Sequence, residues 1–125
     1  MVSVEVDNRS GAEVDATEAV RLAQRVLEQE GITDGELGLH FVGPDEIRAL
    51  KRDHLDVDEA TDALAFPIDE RESLPDGLPR QLGDAVLCPQ VVGNEWRGPL
   101  VHALLHLLGH DHGPEMEARE RIHTS

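Results

Sequence analysis

Three histidines near the end of the chain, His102, His106 and His112 in the stretch HALLHLLGHDH, stand at the spacing H-x-x-x-H-x-x-G-x-x-H. Side chains four apart on a helix share one face with β-carbons about 6 Å apart, so two imidazoles can hold one ion at about 2 Å each. Gly109 can take the left-handed conformation that ends a helix and turns the chain back, which brings His112 toward the same point. Three neutral imidazoles suit zinc, one ion per chain, and leave a fourth position to water, the arrangement of catalytic rather than structural zinc. Zinc peptidases of this spacing carry a glutamate base directly after the first histidine, and Ala103 can take no proton. Peptidase or amidase chemistry is therefore disfavoured. Zinc also acidifies water and polarises phosphoryl oxygens, so hydrolysis of a phosphodiester stays open, with the acid and base unassigned. His110 and Asp111 lie inside the motif; Asp111 reads first as an acceptor that orients a ligand. Asp84, a carboxylate at a strand start, is a second candidate for holding a ligand or moving a proton. His40, His54 and His123 have no partner at ligand spacing and are not read as ligands.

The histidines need a rigid helix, and GPLVHALLHLLG, residues 98–109, supplies one: Pro99 opens it, Gly109 closes it, and every residue between except the two histidines is apolar. Such a helix belongs in a core. GPEMEARERIH opens a further short helix with Pro114 and acids in its first turn. Upstream, VSVEV at 2–6 and ELGLHFV at 36–42 alternate apolar and polar residues as half-buried strands do. Between them Asp15 is placed to cap a helix with Glu18 three residues on, an apolar stripe through Val20, Ala23, Val26 and Leu27, and Gly31 as the stop. GPDEIRALKRD predicts a short helix, while DALAFP at 62–67 and DAVLCP at 84–89 predict two buried strands separated by an exposed loop. The expected fold is α+β, a mixed sheet of about four strands packed against helices that include a buried, central, metal-binding one.

With 125 residues the chain is expected to be one domain, 1–125. Two Phe, one Trp and no Tyr leave almost no stacking platform for single-stranded nucleic acid, and a net charge of −15 opposes nonspecific attraction to polyanions. An RNA substrate would need a local cation or a metal. Cys88 stands alone and reads as a small buried hydrophobe in a reducing compartment. No stretch resembles a secretory leader or a membrane span, which makes the expected location cytoplasmic, with no membrane partner.

HALLHLLGHDH resembles the H-G-x-L-H-L-x-G-Y-D-H signature of the YbeY family, bacterial zinc-dependent endoribonucleases of ribosomal RNA maturation. TDALAFP, 61–67, is similar to that family's T-D-V-L-S-F-P, LGDAVLCP, 82–89, to its L-G-D-I-x-I-x-P, and VEVDNRSG to its start. The resemblance implies His102, His106 and His112 as zinc ligands and a zinc-activated water as the nucleophile. It implies single-strand-specific cleavage in maturation of the small-subunit RNA 3′ end, a part in ribosome quality control, and ribosomal RNA or the ribosome as partner, with ribosomal proteins or an assembly GTPase beside it. Some positions depart from the pattern. Leu55 stands where many members carry an arginine thought to line the RNA cleft, and Lys51 where they carry an asparagine. Arg48, Lys51 and Arg52 cluster on the predicted short helix and offer either replacement phosphate contacts or a solvated face. Only QVVGNEWRG separates LCP from the metal helix, where the family has a longer helical stretch. Thr61 and Gly83 read as turn and cap residues. Two functions stay open: a zinc endoribonuclease, and a ribosome-assembly protein whose zinc serves only the fold.

Overall fold

A computed structural model of the chain describes residues 2–55, 62–69, 80–109 and 114–124, without the side chains of Leu55 and Thr124. The chain runs β1 (Ser3–Asn8), α1 (Ala16–Gln29), β2 (Glu36–Phe41), α2 (Pro44–Leu55), β3 (Ala63–Pro67), β4 (Gln81–Leu87), α3 (Pro89–Val92), α4 (Arg97–Leu107) and α5 (Pro114–Thr124). The sheet order is β1-β2-β4-β3. β1, β2 and β4 are parallel, and β3 lies antiparallel at the edge beside β4. This is the expected α+β fold with a mixed four-stranded sheet.

Strand alternation sorts side chains to two faces. Leu37, Leu39, Phe41, Leu82, Ala85 and Leu87 face α1 and α4 in the main core. Leu64, Val86 and Cys88 face the other way, where Val42 and Ile47 join them beneath α2. α1 is an amphipathic helix whose buried residues, Ala19, Leu22, Ala23, Val26 and Leu27, recur at helical spacing. It begins as expected, with Asp15 Oδ1 accepting from the Glu18 amide at 3.0 Å. α4 is apolar apart from its first turn and the two histidines: Leu100, Val101, Ala103, Leu104, Leu105 and Leu107 are all buried. A helix buried over most of its surface is held in one rotation, which is what a side chain on its remaining side needs in order to point at a fixed place.

β4 starts three residues earlier than DAVLCP suggests. Glu36 pairs with Gln81 but Leu37 with Gly83, so Leu82 is an extra residue bulged into the ladder. Gly83, expected in a turn, is inside the strand with φ +123°, and a β-carbon there would stand 2.1 Å from the Phe66 carbonyl oxygen. Only glycine lets β3 lie this close. Beyond β3, Asp69 Oδ2 accepts from the Gln81 amide at 2.7 Å and ties down the start of β4. Polar residues around Gln81 hid this extension. Cys88 is fully buried, as expected of a small hydrophobe. Among the described residues no helix is long and apolar enough to cross a membrane.

Candidate metal centre

α4 places His102 and His106 on one side of itself, one turn apart. Their Nε2 atoms lie 3.1 Å from each other, and the rings meet edge to face with centroids 4.7 Å apart. Two nitrogens that each sit 2.0–2.1 Å from a tetrahedral zinc ion are about 3.3 Å apart. The pair therefore fits two positions of such a site. The helix ends where expected: the Gly109 amide donates to the His106 carbonyl at 3.0 Å, and Gly109 has φ +89°. His110, Asp111 and His112 lie outside the described residues, as does Thr61. Among the described residues no group of three metal-ligating side chains is gathered, and the third ligand expected at His112 lies outside them.

His102 opens onto a cleft of about 620 Å³ that is also lined by Asp62, Glu95, Arg97 and Glu120. That volume lies within the range of roughly 300–1,000 Å³ usual for ligand sites. Arg97 is the only permanently cationic residue among the described lining. Its guanidinium lies 4.5 Å from the centroid of the Trp96 ring, and Nη2 is 3.5 Å from Glu18 Oε1. The cation is thus steadied at the mouth by a ring beneath it and an acid beside it.

Glu120 was not among the residues singled out from the sequence, yet its Oε1 contacts His102 Nδ1 directly. The signal available was weak: Met116, Glu120 and His123 recur at i, i+4 and i+7 on α5, one inward face, but only the fold shows that this face meets α4.

Other candidates are placed elsewhere. Asp84 turns to the sheet face opposite α4, where its Oδ1 meets His40 Nε2 at 2.8 Å; the structure does not bring it to His102 and His106. His40 Nδ1 is 3.8 Å from Asp7 and is buried with no hydrogen-bond partner. Arg48, Lys51 and Arg52 lie on α2, the helix covering that same opposite face, and are not among the described lining of the His102 cleft. The His54 and Phe66 rings meet edge to face with centroids 5.1 Å apart. His123 is buried at the end of α5, with Nε2 2.9 Å from Glu30 and Nδ1 3.0 Å from Gln29 Oε1. At the far end of β1, Arg9 holds Glu46 in a bidentate pair. The hydrogen bond from Arg9 keeps the Glu46 carboxyl below the ordinary glutamate range against a smaller opposing cost of burial, and the same bond raises the Arg9 guanidinium.

Comparison with known proteins points the same way as the motifs. The family model described as Endoribonuclease YbeY matches residues 5–124. The chain is 34% identical to Endoribonuclease YbeY of Mycobacterium ulcerans, over 95% of this chain and 76% of that protein. It is 34% identical to the Salinispora tropica protein of the same name, covering 88% of it, and 37% identical to that of Beutenbergia cavernae, covering 89%. The solution structure of TM1509 from Thermotoga maritima superposes over 98% of this chain and 86% of its own with a TM-score of 0.56; at 22% identity it speaks for the fold alone. Matched from the first strand to the last helix, the chain belongs to the YbeY endoribonuclease family.

Proposed function

We propose that the chain is a zinc-dependent, single-strand-specific endoribonuclease that acts on ribosomal RNA, in maturation of the small-subunit 3′ end and in ribosome quality control. The observation that carries the zinc part is the approach of the two Nε2 atoms on α4 to 3.1 Å beside an open cleft. A structural zinc would have its positions closed by protein, whereas the His102 side chain is 35% exposed and faces the cleft. The substrate part is supported by family membership.

His102 and His106 would hold the ion through Nε2, with His112 as the third ligand. Zinc in such a site supplies Lewis acidity, which acidifies water and polarises a phosphoryl oxygen. The chain's own residues do the remainder. Ala103 directs no carboxylate at the reacting centre and is packed into the core at 2% exposure, which sets this site apart from a peptidase. Arg97, at the mouth, is the group suited to receive a phosphate of the strand, because a guanidinium matches phosphate oxygens in pairs. Asp62, Glu95 and Glu120 around it repel a polyanion, so the strand is held locally, at Arg97 and at the ion, and not by a broad basic surface.

A second reading has one observation in its favour: those three acids outnumber the lone arginine in the described lining, as in a ribosome-assembly protein that keeps its metal without cutting. Incubating the zinc-loaded protein with precursor ribosomal RNA and with an unstructured oligoribonucleotide separates the two. Cleavage that is lost with a chelator and restored by zinc supports the nuclease; intact RNA with zinc firmly bound leaves the assembly role.

A further inference from the structure

We propose that Glu120 is the positioning carboxylate of the metal centre: it accepts the Nδ1 proton of His102 and so holds the His102 ring with the Nε2 lone pair turned toward His106. The inference rests on the zinc reading of α4 and deepens it.

A neutral imidazole carries one N–H and one lone pair, and which nitrogen carries which is set by the partner at the other one. The Glu120 carboxylate is at Nδ1. An ionised carboxylate can only accept, so the proton belongs on Nδ1 and the lone pair on Nε2, the atom 3.1 Å from His106 Nε2. Glu120 stands behind the ring, on the nitrogen directed away from His106, which is the place of an orienting partner and not of a ligand.

The carboxylate is itself held. Four residues before it, Met116 is 1% exposed in the main core. Three residues after it, His123 is locked to Gln29 and Glu30 at the end of α1, and Arg119 Nη1 lies 3.5 Å from the same Glu30. Met116, Glu120 and His123 occupy one face of α5, so the two anchors on either side fix the rotation of the helix and with it the direction of Glu120.

The test is a competition titration of zinc against a chromophoric chelator with the full chain, joined to nitrogen-15 NMR of the His102 ring in metal-free protein. Glu120→Ala is expected to weaken zinc about 10–100-fold, the usual effect of removing such a partner, and to convert His102 from the Nδ1–H form to a mixture. Glu120→Met, which keeps length and helix propensity but accepts no hydrogen bond, should do the same if the alanine variant fails to fold. Glu120→Gln, whose carboxamide oxygen accepts the same bond, should recover all but a few-fold of the affinity. Glu117→Gln, an exposed acid on the same helix, should change nothing. Zinc affinity within twofold of the parent in the Ala or Met variant, with the His102 tautomer unaltered, overturns the proposal. If His102→Ala binds zinc as the parent does, the zinc reading of α4 is what has failed.

Discussion

Two histidine–carboxylate pairs share helix α5 and have opposite fates. In one, Glu120 reaches His102 in a cleft, and the side chains are 29% and 35% exposed. In the other, His123 meets Glu30 with side chains 1% and 3% exposed. Both ring nitrogens of His123 meet oxygens of Gln29 and Glu30 at the end of α1, whereas the second nitrogen of His102 faces another imidazole. Residue type does not separate them. What separates them is whether the fold turns one ring nitrogen toward a second imidazole, and whether the pair is open to a substrate. The first arrangement is suited to chemistry, and the second to holding α5 against α1 so that the first stays aligned.

The sharpest way to break this contrast is to remove one histidine from each. His106→Ala is expected to lower zinc affinity and RNA cleavage by more than about 100-fold, beyond what loss of an orienting partner costs, while leaving the unfolding midpoint of metal-free protein nearly unchanged. Metal content after dialysis and single-turnover cleavage would show it; retained zinc with parental cleavage would remove His106 from the site. His123→Ala should act chiefly on stability, with a loss of zinc affinity no larger than that of Glu120→Ala, since it reaches the site only through the anchoring of α5. It removes one partner of a buried carboxylate, which costs roughly 3 kcal/mol, the low end for such a loss, because Arg119 stays 3.5 Å from Glu30. Urea denaturation measures that directly. An unchanged midpoint would mean that the buried pair is not what secures α5.

Arg97 probes how far the open pair depends on its surroundings. Arg97→Ala should raise the KM for an unstructured RNA several-fold with little change in kcat, and reduce the slope of log affinity against log salt by about 1, as expected for one phosphate contact. A fall in kcat at unchanged KM would move Arg97 from binding the strand to the chemical step.

Much of this molecule was legible from local pattern. The caps of α1, the alternation of β2, the apolar run of α4 and the H-x-x-x-H spacing within it are each set by residues within a few positions of one another, where periodicity and capping chemistry apply. The histidine pair was legible for the same reason, since the helix alone brings His102 and His106 together. What was not legible depends on contacts distant in sequence. Glu120 is 18 residues from His102, and His123 is 93 from Glu30. Asp84 was a fair candidate as a carboxylate at a strand start, but strand parity sent it to the face with His40, 44 residues away. Arg48, Lys51 and Arg52 formed a cluster in one dimension, and it was the packing of α2 beneath Val86 and Leu64 that set them on the face away from α4. Gly83 looked like a turn residue because its reason, the close approach of Phe66, lies across a strand pairing.

The smallest effect comes from an exposed acid–base contact, between Arg9 and Glu46, and it marks the far end of the comparison. Both side chains are open to water, at 46% and 39% exposure, so solvent screens the pair and it contributes little to stability. Its trace is in titration. The Arg9 hydrogen bond holds Glu46 below the ordinary glutamate range, helped by charge from Arg9 and His40. A carboxyl lowered in the folded state adds stability that is fully present above its unfolded value and fades as pH falls through the folded one. Following the Glu46 side-chain carbonyl carbon by NMR should give a midpoint below that of a free glutamate, and Arg9→Gln should bring it back up. Zinc affinity should be untouched, because Arg9 follows the end of β1 and Glu46 sits in the first turn of α2, which packs on the sheet face away from α4. A shift in zinc binding in that variant would mean that the two faces of the sheet are coupled, and that the division between a site face and a scaffold face is drawn in the wrong place.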